Sequence, residues 1–212
     1  MDIQNNNETE GEEAPLVLDA YGRRRFIGVA GAAAAGALIF LEETKAGLFG
    51  FGYDSSAVRG IDPRWVKAKG LEVNRYANFV KDLHLKHITP RMVLAPHFKT
   101  RGRVINEIPP RKTWKKMAPT LKMMDLLSRE MGCPVKEIVS AYRCPRYNRA
   151  VGGKSHSFHM FNQALDMQFH GASPWRVASV ARFLRKKGKF SGGVGRYSTF
   201  VHMDTRGYNA DW

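Results

Sequence analysis

The chain of 212 residues is 43% hydrophobic and 25% charged, enough apolar content for one globular domain with a real core plus extensions, and too much for a wholly disordered chain. Its formal net charge is +15, and because the first 46 residues hold four Lys/Arg against eight Asp/Glu, residues 47–212 carry +19. A field of that sign concentrates polyanions, yet the basic residues are scattered and no DNA- or RNA-binding motif is present, so the expected partner is not nucleic acid.

Residues 1–21 are polar and acidic and read as a disordered leader. Gly22-Arg23-Arg24-Arg25-Phe26-Ile27 resembles a twin-arginine export signal, with paired arginines, one spacer, then Phe and a branched aliphatic residue. The uncharged stretch 26–41 has 16 residues, short for a ~30 Å hydrocarbon layer but suited to a signal h-region, and Thr44-Lys45-Ala46 offers small residues for a cut after Ala46. An exported, periplasmic protein is expected, touching membrane only through residues 1–46 if that segment stays uncleaved.

Residues 47–112 are read as an irregular N-terminal part of the mature domain, with a short helix opened by Asp62-Pro63 and strand-like pieces at 91–94 and 103–108. A helix is expected over 113–131: Thr113 can cap it, Met117, Leu121, Met124, Leu127 and Met131 share one face, and Gly132 with Pro134 ends it. The run 135–142 reads as a strand ending at Arg143, and Pro145–Ala150 as a turn or short helix. A second strand is expected over 163–169, with Leu165, Met167 and Phe169 on one side and Ala164, Asp166 and Gln168 on the other. Ser173-Pro174 starts a helix whose apolar stripe is Trp175, Val177, Val180, Ala181 and Leu184, ended by Gly188. Residues 192–197 and 199–204 read as a β-hairpin around Ser198. The fold expected for the mature part, with residues 113–212 as its core, is α+β: a small, mostly antiparallel sheet with flanking helices. Cys133 and Cys144 lie at opposite ends of the first strand, whose span of about 23 Å far exceeds the α-carbon separation a disulfide tolerates, so no bridge is expected.

His159, Asp166 and His202 are the candidate metal ligands. Two imidazoles and one carboxylate suit zinc, because thiolate is absent from the set and an all-oxygen calcium site would not use two histidines. Such a site keeps a position for a water that the metal acidifies. Asp204, two residues beyond His202 on the same strand face, is the candidate general base, and Arg143 the candidate contact for an oxyanion or a substrate carboxylate. Each has a plainer reading. Either histidine alone can be a satisfied polar residue, Asp166 can cap a turn, Asp204 can pair with Arg206, and Arg143 can be one more solvated cation. His156, three residues before His159, is the rival ligand; His84, His87, His97 and His170 are read as structural or surface groups.

Residues 137–212 resemble the zinc peptidases that cleave peptidoglycan, the family of D-alanyl-D-alanine carboxypeptidases and murein endopeptidases, and within it a small exported branch with a twin-arginine signal. The likeness rests on Ser140-Ala141-Tyr142-Arg143 followed by Pro145, Tyr147 and Asn148; on Ser157, His159, Ala164 and Asp166; and on Gly193-Val194-Gly195-Arg196-Tyr197, Phe200-Val201-His202-Met203-Asp204-Thr205 and Trp212. Asn162 stands where the family has Gly, in a turn that should survive because Asn tolerates a left-handed backbone; Ala141 likewise replaces a Gly. The resemblance implies a Hedgehog/D-Ala-D-Ala peptidase-like fold, zinc held by His159, Asp166 and His202, a substrate role for Arg143, a catalytic role near Asp204, and peptidoglycan as partner. It tilts the expectation toward an endopeptidase; the alternative is a wall-binding or scaffold protein that keeps the metal for structure.

Overall fold

The computed structural model describes residues 58–212; the acidic leader and twin-arginine segment, residues 1–46, lie outside them. No described helix is long and apolar enough to cross a membrane.

Residues 58–112 are more regular than their sequence suggests. Asp62 accepts from the Arg64 amide at 2.8 Å and Pro63 occupies the first turn, so α1 (Pro63–Lys69) begins where expected. Helix α2 (Leu71–Lys81) buries Val73, Tyr76, Ala77 and Val80, an i, i+3, i+4, i+7 face. The stretch 91–94, read as strand, is helix instead: Thr89 caps α3 (Pro90–Leu94) by accepting from the Met92 amide, and Pro90 is pre-set for the first turn. A 3-10 turn, Ala95–Phe98, leads to a hairpin of β1 (Thr100–Arg101) and β2 (Val104–Ile105), so only the start of the expected strand 103–108 pairs.

Helix α4 (Trp114–Met131) buries all five residues of its predicted face and stops at Gly132, which adopts φ 62°. Thr113 occupies the cap position without capping; its hydroxyl donates to the Pro110 carbonyl at 2.7 Å. Then come β3 (Val135–Ser140), the short α5 (Pro145–Ala150), β4 (Ala164–Phe169), α6 (Pro174–Lys186), β5 (Gly193–Arg196), β6 (Val201–Asp204) and β7 (Ala210–Asp211). The five strands form one sheet in the order β3-β4-β6-β5-β7, antiparallel throughout except for the β5–β7 pair. Strand β7 was not expected; two residues are too few to carry an alternating pattern.

Period-2 alternation sends Leu165, Met167, Phe169, Val201 and Met203 into a core shared with Leu121, Met124 and Leu127 of α4 and Val177, Ala181 and Leu184 of α6. The opposite face carries Asp166, His202 and Asp204. Trp175, placed on the apolar stripe of α6 by sequence, is 67% exposed. At roughly 100° per residue it lies about 200° round the helix from Val177, so burying Val177, Ala178, Ala181 and Leu184 turns it outward. Cys133 and Cys144 are both free and buried, with β3 between them.

His97, in the 3-10 turn, is buried with Nδ1 donating to the Leu94 carbonyl at 3.2 Å, and burial lowers its pKa to about 4. An unfolded histidine titrates near ~6.5, so below that pH the unfolded chain takes up a proton that the fold excludes. Stability is therefore complete above pH ~6.5 and falls by about 3 kcal/mol from this group as the pH reaches ~4. Denaturant unfolding of the metal-free protein is expected to show that slope, and His97→Phe to flatten it within the same window.

Candidate metal centre

Strand pairing builds the floor of the site. The β4–β6 register sets Asp166 directly opposite His202, and the β3–β4 register sets Ser140 opposite Asp166. His159 comes from the loop between α5 and β4. That loop turns tightly at Asn162, which adopts φ 56° as its left-handed tolerance suggests, and the Asn162 side-chain amide donates to the Thr113 carbonyl at 3.1 Å. A further tie joins the Arg143 amide to the His159 carbonyl at 3.2 Å.

The three predicted ligands are brought together. His159 Nε2 lies 3.2 Å from both Asp166 Oδ1 and His202 Nδ1, and His202 Nδ1 lies 2.8 Å from Asp166 Oδ1. All three residues are buried. Donors on a tetrahedral zinc ion at ~2.0–2.1 Å stand about 3.3 Å apart, which the two 3.2 Å separations match and the 2.8 Å one falls short of. The outer nitrogens say the same. Nδ1 of His159 donates to the Ala141 carbonyl at 2.6 Å, and Nε2 of His202 donates to Asp204 Oδ2 at 3.0 Å. With those outer bonds made by neutral rings, His159 Nε2, His202 Nδ1 and Asp166 Oδ1 are the three atoms left to hold a cation between them. His156, the rival, is exposed and bonded to Ser155 Oγ at 3.1 Å, and His84, His87 and His170 are exposed as well.

Arg143 reaches the site in a supporting geometry. Its Nη2 donates to Asp166 Oδ2 at 2.5 Å and its Nε to Ser140 Oγ at 2.7 Å, so one carboxylate oxygen of Asp166 is pinned and the other faces the two histidines. With its side chain 17% exposed, against 2% for His159, Arg143 marks the accessible edge of the centre.

Asp204 is not placed beside the ligand atoms, as a general base requires. It is fully buried behind the His202 ring, on the Nε2 side, whereas Nδ1 faces the other ligands. Both of its oxygens are committed: Arg206 Nε donates to Oδ1 at 2.7 Å and Arg206 Nη2 to Oδ2 at 2.5 Å, while the Gly193 amide reaches Oδ1 at 3.1 Å. Burial alone would raise the Asp204 carboxyl, but these bonds from Arg206, His202 and Gly193 hold it well below the usual carboxylate range. The plainer reading, a pair with Arg206, is the one realised.

The glycines of β5 follow from these approaches. A Cβ on Gly193 would stand 2.6 Å from Asp204 Oδ2 and 2.8 Å from Arg206 Nη2, and one on Gly195 would run into the Trp212 indole. That indole lies 5.2 Å from the His202 ring, centroid to centroid, and its Nε1 donates to the Tyr197 hydroxyl at 3.1 Å. Arg206 carries one sequence signal as a site residue, the two-residue spacing from Asp204, which is common among surface pairs.

A family model described as Peptidase M15 matches residues 96–204, just over half of the chain. No curated protein and no solved structure matches it. The matched span contains Arg143, all three candidate ligand residues and Asp204, and it includes the five-stranded sheet except β7.

Proposed function

Because the chain belongs to the peptidase M15 family, whose members are zinc-dependent, we propose that it hydrolyses amide bonds of peptidoglycan, in stem peptides or in the cross-links between them. The observation that carries this reading is the meeting of His159 Nε2, Asp166 Oδ1 and His202 Nδ1 within 2.8–3.2 Å of one another, at positions inside the family match. Bound there, zinc supplies Lewis acidity, which lowers the pKa of a water toward about 7 and polarises a carbonyl. The chain's own residues position that chemistry. Ala141 and Asp204 fix the tautomers of the two histidines, and Arg143 fixes Asp166. Arg143 Nη1, which no described residue engages, is assigned to a substrate carboxylate or the developing oxyanion. Asp204 is assigned to holding His202 rather than to moving a proton.

Within this reading we favour a cross-link endopeptidase over a D,D-carboxypeptidase. The +19 charge of residues 47–212 suits a large anionic sacculus better than a small terminal dipeptide, and the twin-arginine resemblance supports export to the periplasm. One observation favours a second reading, a metal-containing wall-binding or scaffold protein: Asp166 and Asp204, the carboxylates on the metal face, are both already committed. Digestion of purified sacculi by zinc-loaded and chelated protein, with muropeptides identified by mass spectrometry, separates the readings. Conversion of cross-linked dimers to monomers only with metal supports the endopeptidase, and loss of a terminal residue from monomers supports the carboxypeptidase. Binding to sacculi without fragments supports the scaffold.

A further inference from the structure

We propose that Arg206 is a positioning residue of the metal centre, bracing both histidine-bearing segments from behind. The inference rests on the metal reading above. On one side Arg206 forks onto Asp204, with Nε on Oδ1 at 2.7 Å, Nη2 on Oδ2 at 2.5 Å and its own backbone amide on Oδ1 at 3.2 Å. Asp204 in turn accepts from His202 Nε2 at 3.0 Å, so the fork sets the plane of the carboxylate that sets the plane of the ring. On the other side the guanidinium lies 4.1 Å from the ring centroid of Phe158, the residue immediately before His159, and 5.2 Å from that of Trp212, which itself flanks His202. Tyr208 adds a third ring at 5.4 Å.

Three features separate this group from a surface ion pair. The Arg206 side chain is 13% exposed and that of Asp204 is not exposed at all, so the pair is largely shielded from water and salt. Both Asp204 oxygens are held by the fork, and Oδ2 also accepts from His202 Nε2, which leaves Nδ1 of that ring facing Asp166 and His159. Gly193 leaves no room for a Cβ beside Arg206 Nη2 and Asp204 Oδ2, so β5 accommodates the fork. Lysine cannot reproduce the arrangement, since an ammonium offers neither two parallel N–H bonds nor a flat face for the rings.

The test compares Arg206→Lys and Arg206→Gln with the parent protein. It measures zinc affinity by competition with a chromophoric chelator, the visible spectrum of the cobalt(II)-substituted protein, and the melting temperature of the metal-free form. Loss of an outer partner typically weakens metal binding ~10–100-fold. Arg206→Lys is expected to weaken zinc binding by about 10-fold and Arg206→Gln by more, with altered cobalt bands in both. The metal-free Arg206→Lys protein should melt close to the parent, which makes it decisive if Arg206→Gln folds poorly. Zinc affinity and cobalt bands unchanged in Arg206→Lys overturn the proposal, and so does a lowered metal-free melting temperature with affinity and bands intact, since Arg206 would then serve the fold alone. If the parent protein itself binds no zinc, it is the metal reading that fails.

Discussion

His159→Ala is expected to remove zinc from the protein and, with it, any hydrolysis of sacculi. The imidazole supplies one of three donors that stand 2.8–3.2 Å apart, and two donors fall short of the three protein ligands a catalytic zinc site uses. The loss of affinity should exceed the ~100-fold that removal of an outer partner causes. Truncation also strips the Ala141 carbonyl of the N–H that reaches it at 2.6 Å, so the loop before β4 loosens and entry of the metal is not rescued by raising its concentration modestly. Elemental analysis of the purified variant, followed by chelator competition, reads the effect directly. Retention of one equivalent of zinc at the parent affinity would remove His159 from the ligand set and sink the assignment.

The meeting of His159, Asp166 and His202 was legible because the three residues sit in a pattern that topology can satisfy in few ways. Asp166 and His202 lie on strands whose apolar partners, Leu165, Met167, Val201 and Met203, must face the helices, so the polar residues share the other face once the strands pair. The register that makes them direct neighbours is not written in either strand alone. It follows from the pairing of β4 with β6, a long-range contact that crosses α6 and β5 in sequence. Helix α4 was legible from its methionine and leucine stripe. Helix α3 was missed because Val93 and Leu94 suggested a strand while the stronger signal, Thr89-Pro90, lay just upstream. Asp204 shows the limit most clearly. Two residues along a strand guarantee a shared face, but not which nitrogen of the histidine faces the metal. With Nδ1 turned to the other ligands, Nε2 points at Asp204, and the carboxylate lands behind the ring.

That placement reverses what substitution of Asp204 should do. Were it a base beside the metal, Asp204→Ala would slow turnover while leaving zinc and stability untouched. As the buried partner of His202 and Arg206, its loss has two consequences. The Arg206 guanidinium, with its side chain 13% exposed, is left without a counter-charge, and breaking such a pair from one side costs about 3–5 kcal/mol. The His202 ring loses the acceptor that holds its Nε2–H at 3.0 Å, and zinc affinity is expected to drop ~10–100-fold. Asp204→Asn keeps an oxygen for His202 but no charge for Arg206, so it should retain more zinc affinity than Asp204→Ala while remaining destabilised. Urea unfolding of the metal-free variants and chelator competition on the folded ones measure the two effects separately. Parent-like stability and zinc affinity in Asp204→Ala, with turnover alone reduced, would restore the proton-transfer role and require the carboxylate to leave its buried position during the reaction.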